Sequence, residues 1–366
     1  MPNDYIMPNR LDRGYARYST EFNAKALEVL KSGRYILGPE LTCFEEEFAH
    51  YLGAKHCVGV ASGLDALWIA FRLLNIGTGD EVIVPGNTYI ASVMGVTING
   101  ATPVFVEPDE YFNIDSSGIE KKITKRTRAI LVVHLYGQAA DMNSVTAIAN
   151  RYGLKIVEDC AQSHGAKFDG RTTGTFGDIG CFSFYPSKNI GAFGDAGAIV
   201  TEDPKLAADA RVFRNYGSEK RYYNQIIGAN SRLDELQAAL LRVRLAHARD
   251  LEEERKALAE RYLKGIVNPQ IHLPRIRPGA THVWHQFVIR VSRRQELIPY
   301  LEKRGIGTII HYPIPPHLSA AYAYLGLRRG ALPITEQYAD EVLSLPFYAG
   351  MTEAEQKHVI NALNEF

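Results

Sequence analysis

The 366-residue chain is short of cysteine, of any excess of charge and of long apolar runs, and each shortage removes a class of protein. Its four cysteines, at 43, 57, 160 and 181, are scattered with no C-x-x-C pair, so neither a zinc frame nor a disulfide frame is indicated. Lys+Arg and Asp+Glu balance at 41 each, which leaves no basic field for nucleic acid and no acidic tail. No apolar run approaches the roughly 20 residues of a membrane span. The opening Met1-Pro-Asn-Asp-Tyr-Ile-Met-Pro8 has neither the basic nor the apolar stretch of a secretion signal, so the expected setting is the cytoplasm. What remains is 46% apolar and 22% charged, a globular composition. A chain this long is expected to divide into one large and one smaller domain.

Hydrophobic patterning predicts an alternation of strands and helices. Helices are expected over 11–32 and 40–52, then strand 56–60 and helix 61–71, strand 80–85 and a helix from Thr88. Strand 103–106, helix 116–123, strand 129–134, helix 141–152 and strand 154–158 follow. Strands that read as continuous Val/Ile/Leu runs between helices predict an α/β fold, its mostly parallel central sheet covered on both faces. A long helix is expected to start in the 228–241 stretch and run to about Leu263. Beyond the proline-punctuated linker 269–281, strand 282–291, helix 294–304, strand 307–311 and helices 335–342 and 353–366 predict a small α+β domain. The division expected is 1–245 and 246–366.

In parallel sheets the carboxyl ends of the strands carry the ligand site. Ser62, Tyr89, Gln138, Asp159 and Lys188 all fall just after expected strands. Lys188 lies in Cys181-Phe-Ser-Phe-Tyr-Pro-Ser-Lys188-Asn-Ile-Gly-Ala-Phe-Gly194, a short strand and a turn that enter a glycine-dense loop. Glycines there let backbone come close, so the lysine is held near main chain. Upstream, Lys155-Ile-Val-Glu-Asp159-Cys-Ala-Gln162-Ser-His164 is a buried-type strand ending in a carboxylate, an amide and an imidazole. Taken singly, such a lysine is a solvated charge and such an aspartate a cap. In this order, with Ser183 between them, they are what pyridoxal 5′-phosphate requires. The lysine forms a Schiff base, and the carboxylate keeps the pyridine nitrogen protonated so that the ring draws off electrons.

The rest of such a site has candidates. Strand, Ser62-Gly63, then an apolar helix is a phosphate seat: free N–H groups point outward and glycine lets an anion approach. Tyr89, at a strand-to-helix junction on the same edge, can lie flat against a pyridine ring. Tyr35, in the turn 33–39, borders a pocket or packs on a core. His311 and His317 flank a proline-rich turn and lack a third partner, so they read as substrate-side or structural, and no metal is expected.

Four stretches carry a resemblance: Gly79 to Ser92 (GDEVIVPGNTYIAS), Val157 to Gly165 (VEDCAQSHG), Cys181 to Lys188 (CFSFYPSK) and Asn230 to Ala239 (NSRLDELQAA). They resemble the DegT/DnrJ/StrS family of nucleotide-sugar aminotransferases over essentially the whole chain. The resemblance implies a type I aminotransferase fold and a homodimer with active sites at the subunit interface. It implies Lys188 as the Schiff-base lysine, Asp159 as partner of the pyridine nitrogen and Gln162 as contact to the ring hydroxyl. Ser62, Gly63 and Ser183 match phosphate ligands, Tyr89 the stacking aromatic, and Asn230 a phosphate contact from the other subunit. His134-Leu-Tyr-Gly-Gln138 and His311-Tyr-Pro-Ile-Pro-Pro-His317 look like those of enzymes that aminate C-3 of a dTDP-linked 3-keto-6-deoxyhexose. On that resemblance Tyr185, His311 and Tyr312 meet the sugar, L-glutamate is the amino donor, and the cofactor cycles through its pyridoxamine form. Amination at C-4 of a nucleotide sugar is the nearest rival, and a non-catalytic regulator on the same fold is another. Intact Lys188, Asp159 and Gln162 argue against the regulator.

Overall fold

The computed structural model describes residues 5–366; the first four residues, part of the stretch read for a secretion signal, lie outside it. Seven strands make one sheet: β1 (His56–Val60), β2 (Glu81–Pro85), β3 (Thr102–Val106), β4 (Thr127–Val133), β5 (Lys155–Asp159), β6 (Ile179–Ser183) and β7 (Gly197–Thr201). Their order is β1-β7-β6-β5-β4-β2-β3. Only β7 runs antiparallel to its neighbours; the other pairings are parallel. Val82, Ile83 and Val84 are all fully buried, as are Ile130, Leu131 and Val132. Consecutive apolar residues bury only where both faces of a sheet are covered, which is the α/β arrangement predicted. Among the described residues no helix is long and apolar enough to cross a membrane.

Two helices expected whole come out in pairs. The first is interrupted at Tyr18, between Leu11–Arg17 and Ser19–Ser32. The helix expected from the 228–241 stretch starts only at Glu235 and breaks at His247, between Glu235–Ala246 and Ala248–Gly265. The two breaks are partners: the Tyr18 and His247 rings stack 3.9 Å apart with 12° between planes. His247 Nε2 also meets Glu21 at 2.9 Å. An aromatic stack contributes about 0.5–1.5 kcal/mol, enough to offset a local loss of helix hydrogen bonding. Contacts between distant segments leave no trace in helical periodicity.

The last third departs most from pattern. Strand 282–291 shrinks to Val288–Arg290, because Val283 N and His285 N donate instead to Gly137 O (2.8 Å) and Tyr136 O (3.0 Å) of the loop after β4. Its partner is Val342–Ser344, residues expected at or beyond a helix end. Strand 307–311 reduces to a single bridge between Ile309 and Ser344, and helix 116–123 is one α turn followed by a 3-10 turn. Leu258, Tyr262, Phe287, Leu297, Leu343 and Val359 belong to a core of their own. Leu332, Tyr338 and Val342 join the core under the main sheet. Glu107, just past β3, accepts from Ile334 N and Thr335 N, each at 2.9 Å, and so caps the helix Pro333–Glu341.

Candidate active site

Asp159 is the last residue of β5, in register with Val133 of β4 and Cys181 of β6. Successive strand residues point to opposite faces, so Asp159 and Glu158 part company. Asp159 is 6% exposed; its Oδ1 accepts from Ala161 N at 3.1 Å and its Oδ2 from Ser92 Oγ at 2.7 Å. Glu158 is fully buried and accepts from Gly174 N (2.8 Å), Phe176 N (2.7 Å) and Gly177 N (2.7 Å), with His134 Nε2 at 2.9 Å.

Lys188 sits five residues past β6 in a turn closed by its own N–H to Tyr185 O at 2.8 Å. The next residue staples that turn in place: Asn189 Nδ2 donates to Val283 O at 2.8 Å. Burial brings the Lys188 amine down to about 8, against the opposing pull of Asp159. An ammonium in poor solvent loses hydration, and one nearby carboxylate restores only part of it. His311 is pushed down to about 4, first by burial and then by the Lys188 charge. His164 is pushed down to about 3 for the same two reasons. These imidazoles therefore stay neutral beside the lysine.

The turn expected to seat a phosphate is built from two strand ends. Ser62 Oγ caps the helix Gly63–Leu73 by accepting from Asp65 N at 3.1 Å. A Cβ on Gly63 would meet Ser183 Cβ at 2.4 Å, so only glycine lets the turn after β1 lie against the end of β6. Gln162 accepts from Tyr136 N at 2.6 Å through Oε1 and donates to the Tyr312 hydroxyl at 3.1 Å through Nε2. The Tyr312 ring lies 5.0 Å from that of Tyr89, tilted by 33°. Lys188, Asp159, Gln162, Tyr89 and Tyr312 are thus linked at the carboxyl edge of the sheet: the Asp159 charge acts on both Lys188 and Tyr312, and Gln162 and Tyr89 each meet Tyr312.

Residues 17–364 match the DegT/DnrJ/EryC1/StrS aminotransferase family. The chain belongs to that family. The dTDP-3-amino-3,6-dideoxy-alpha-D-galactopyranose transaminase of Aneurinibacillus thermoaerophilus is 52% identical over 351 residues, 96% of each chain. The crystal structure of S. venezuelae DesV in complex with a ketimine intermediate superposes with a TM-score of 0.97 at 50% identity, covering 99% of this chain and 98% of that one. NtdA from Bacillus subtilis, solved with bound cofactor PMP, has a TM-score of 0.88 at 34% identity and covers 95% of this chain and 82% of that one. The architecture is the type I aminotransferase fold expected from the sequence motifs.

The residues of this aminotransferase fit the cofactor. A partly neutral lysine, a carboxylate with acceptor positions to spare, an amide and a glycine-lined helix start stand together, each suited to one part of a pyridoxal phosphate. Other expected site residues are exposed or engaged within the chain. Tyr185 is 55% exposed and Asn230 is also exposed. The Tyr35 hydroxyl donates to Leu30 O at 3.0 Å, within its own segment. His311 is tied by Nδ1 to Ser344 Oγ at 2.8 Å and by Nε2 to Gln286 Nε2 at 3.0 Å. Gln138 leaves the group altogether: it accepts from Arg277 N and donates to Arg275 O, holding the proline-punctuated 269–281 stretch.

Sequence reasoning passed over Ser92, Asn189, His285 and Gln286. Ser92 lies one helical turn beyond Tyr89, a place that gives a serine no distinguishing signal. The other three depend on where 282–287 docks. His134, Glu158 and Cys160 also cluster at metal-ligand spacing. Hydrogen bonds close that cluster, since His134 Nδ1 accepts from Ala140 N at 3.1 Å while Nε2 serves Glu158.

Proposed function

We propose that this enzyme transfers an amino group from L-glutamate to C-3 of a dTDP-linked 3-keto-6-deoxyhexose, giving a dTDP-3-amino-3,6-dideoxyhexose and 2-oxoglutarate. The observation that carries the chemistry is the buried Lys188 amine, brought down to about 8 and set against Asp159. The choice of sugar is supported by the 52% identical relative, named as a transaminase of a dTDP-3-amino-3,6-dideoxy sugar. A bound pyridoxal 5′-phosphate supplies an electron sink and a temporary seat for the nitrogen.

The chain's own groups do the rest. Lys188 would hold a bound cofactor covalently, and its Nζ, once free, would take the proton from the α-carbon of the donor and later give one to the sugar carbon. A base titrating near 8 has a far larger neutral fraction at any given pH below that value than an ordinary lysine has. Asp159 holds a proton on the ring nitrogen. Ser62, Gly63 and Ser183 seat the phosphate, Gln162 meets the ring hydroxyl, and Tyr89 covers one ring face. Tyr185, His311 and Tyr312 meet the sugar, with Tyr35 at the border. Asn230 reaches the phosphate of a second copy, so the working unit is a cytoplasmic homodimer.

The test is to incubate enzyme and L-glutamate with 3-keto and 4-keto sugars linked to dTDP, UDP and GDP, and to locate the new nitrogen by NMR. Amination at C-3 of the dTDP 3-keto sugar is expected. Turnover of 4-keto sugars alone overturns the position while leaving the amino transfer standing.

A further inference from the structure

We infer that Ser92, with Thr88 behind it, is a positioning residue of the reaction that fixes the Asp159 carboxylate at the angle the ring nitrogen needs. The inference rests on the role proposed for Asp159 above. Ser92 Oγ lies 2.7 Å from Asp159 Oδ2, and Thr88 Oγ1 lies 2.7 Å from Ser92 Oγ. All three are shut away from solvent, with Thr88 2%, Ser92 1% and Asp159 6% exposed. A carboxylate only accepts, so the single hydroxyl proton of Ser92 goes to Asp159, and the proton between the two hydroxyls comes from Thr88. The chain of donors therefore runs one way and ends on the carboxylate.

Two donors on different oxygens, Ser92 and Ala161 N, settle the carboxylate plane. A carboxylate offers about four acceptor positions, so each oxygen keeps one lone pair for the cleft. Without Ser92 the terminal torsion of Asp159, a broad two-fold well, is free to turn. The same residue has a second office. Ser92 is three positions past Tyr89, the residue that opens the helix Ile90–Thr97, and Ser92 N donates to Tyr89 O at 3.1 Å. One helical turn thus fixes the spacing between the ring-covering side chain and the nitrogen-facing one.

The test compares holoenzymes of the full chain carrying Ser92→Ala, Thr88→Val and, as reference, Asp159→Asn. Each is measured for the dissociation constant of pyridoxal phosphate, the pH at which its visible band titrates, the rate of the glutamate half-reaction and the unfolding temperature. Ser92→Ala removes a hydrogen bond to a charged group and is expected to weaken cofactor retention about tenfold. Its band should titrate at a pH displaced in the same direction as in Asp159→Asn. Thr88→Val, which keeps the volume, should act the same way by about threefold. A merely structural serine would lower the unfolding temperature and leave the band where it was, and that result overturns the inference. Should Ser92→Ala fail to fold, Thr88→Val decides, and an unmoved band in it counts against us. If Asp159→Asn itself leaves the band unmoved, the role of Asp159 falls; if it moves the band and neither hydroxyl variant does, only the present inference falls.

Discussion

Glu158 and Asp159 are neighbours in sequence and opposites in circumstance. Both are carboxylates sealed into the end of β5, yet Glu158 has three backbone donors and an imidazole, while Asp159 has two donors in all. The pleat of the strand sends one to each face of the sheet. Glu158 spends its acceptor positions tying the strand to the 174–177 turn and the end of β4. Asp159 keeps positions unspent, on the face that also holds Lys188. A buried carboxylate serves structure when its acceptors are filled from within the chain, and is available for chemistry when some are left open.

The difference can be broken most sharply at Asp159. Asp159→Asn is expected to lower turnover about a thousandfold by removing charge where it must be stabilised, with little change in urea unfolding. Glu158→Ala should do the reverse, costing about 3–5 kcal/mol in urea unfolding because buried donors lose their anion. Its remaining folded fraction should still take up cofactor and colour normally. An equal stability loss from the two variants would dissolve the contrast.

Lys188 sharpens it further through pH. Uptake of pyridoxal phosphate by cofactor-free enzyme should rise with pH around a midpoint of about 8, against 10.5 for an unperturbed lysine. Asp159 pulls this value up, so Asp159→Asn should move the midpoint lower. The unfolded chain binds more protons than the folded one between these values, so this amine makes stability increase as pH climbs from about 8 toward 10.5. The smallest effect belongs to metal removal. The His134–Glu158–Cys160 cluster has its imidazole nitrogens engaged, so chelator treatment should leave the unfolding temperature unchanged; a drop would mean that Glu158 serves a cation.

Much of this was legible in sequence because strand ends and their first following residues are local features. The β5 end with Asp159, the Ser62-Gly63 turn and the Lys188 loop all lie where residue order put them. What stayed hidden depends on segments far apart in the chain. The Tyr18–His247 stack breaks two helices whose periodicity runs straight through the break. Residues 282–287 carry a strand-like pattern but answer to the Tyr136-Gly137 loop, and Gly137 permits this: a Cβ there would stand 2.8 Å from His285 N. Ser92 was missed for another reason. A serine in the first turn of a helix looks the same whether it faces solvent or a carboxylate.

The staple from Asn189 to Val283 has a consequence for biogenesis. The lysine turn is emitted from the ribosome 94 residues ahead of the carbonyl that anchors it. Until that later stretch has left the exit tunnel, the Lys188 turn is held by earlier partners alone, among them His164, which accepts from Ile190 N at 3.3 Å, and Gln237, which accepts from Phe193 N at 2.8 Å. Chains truncated before the anchor are therefore expected to hold pyridoxal phosphate less tightly than the full chain.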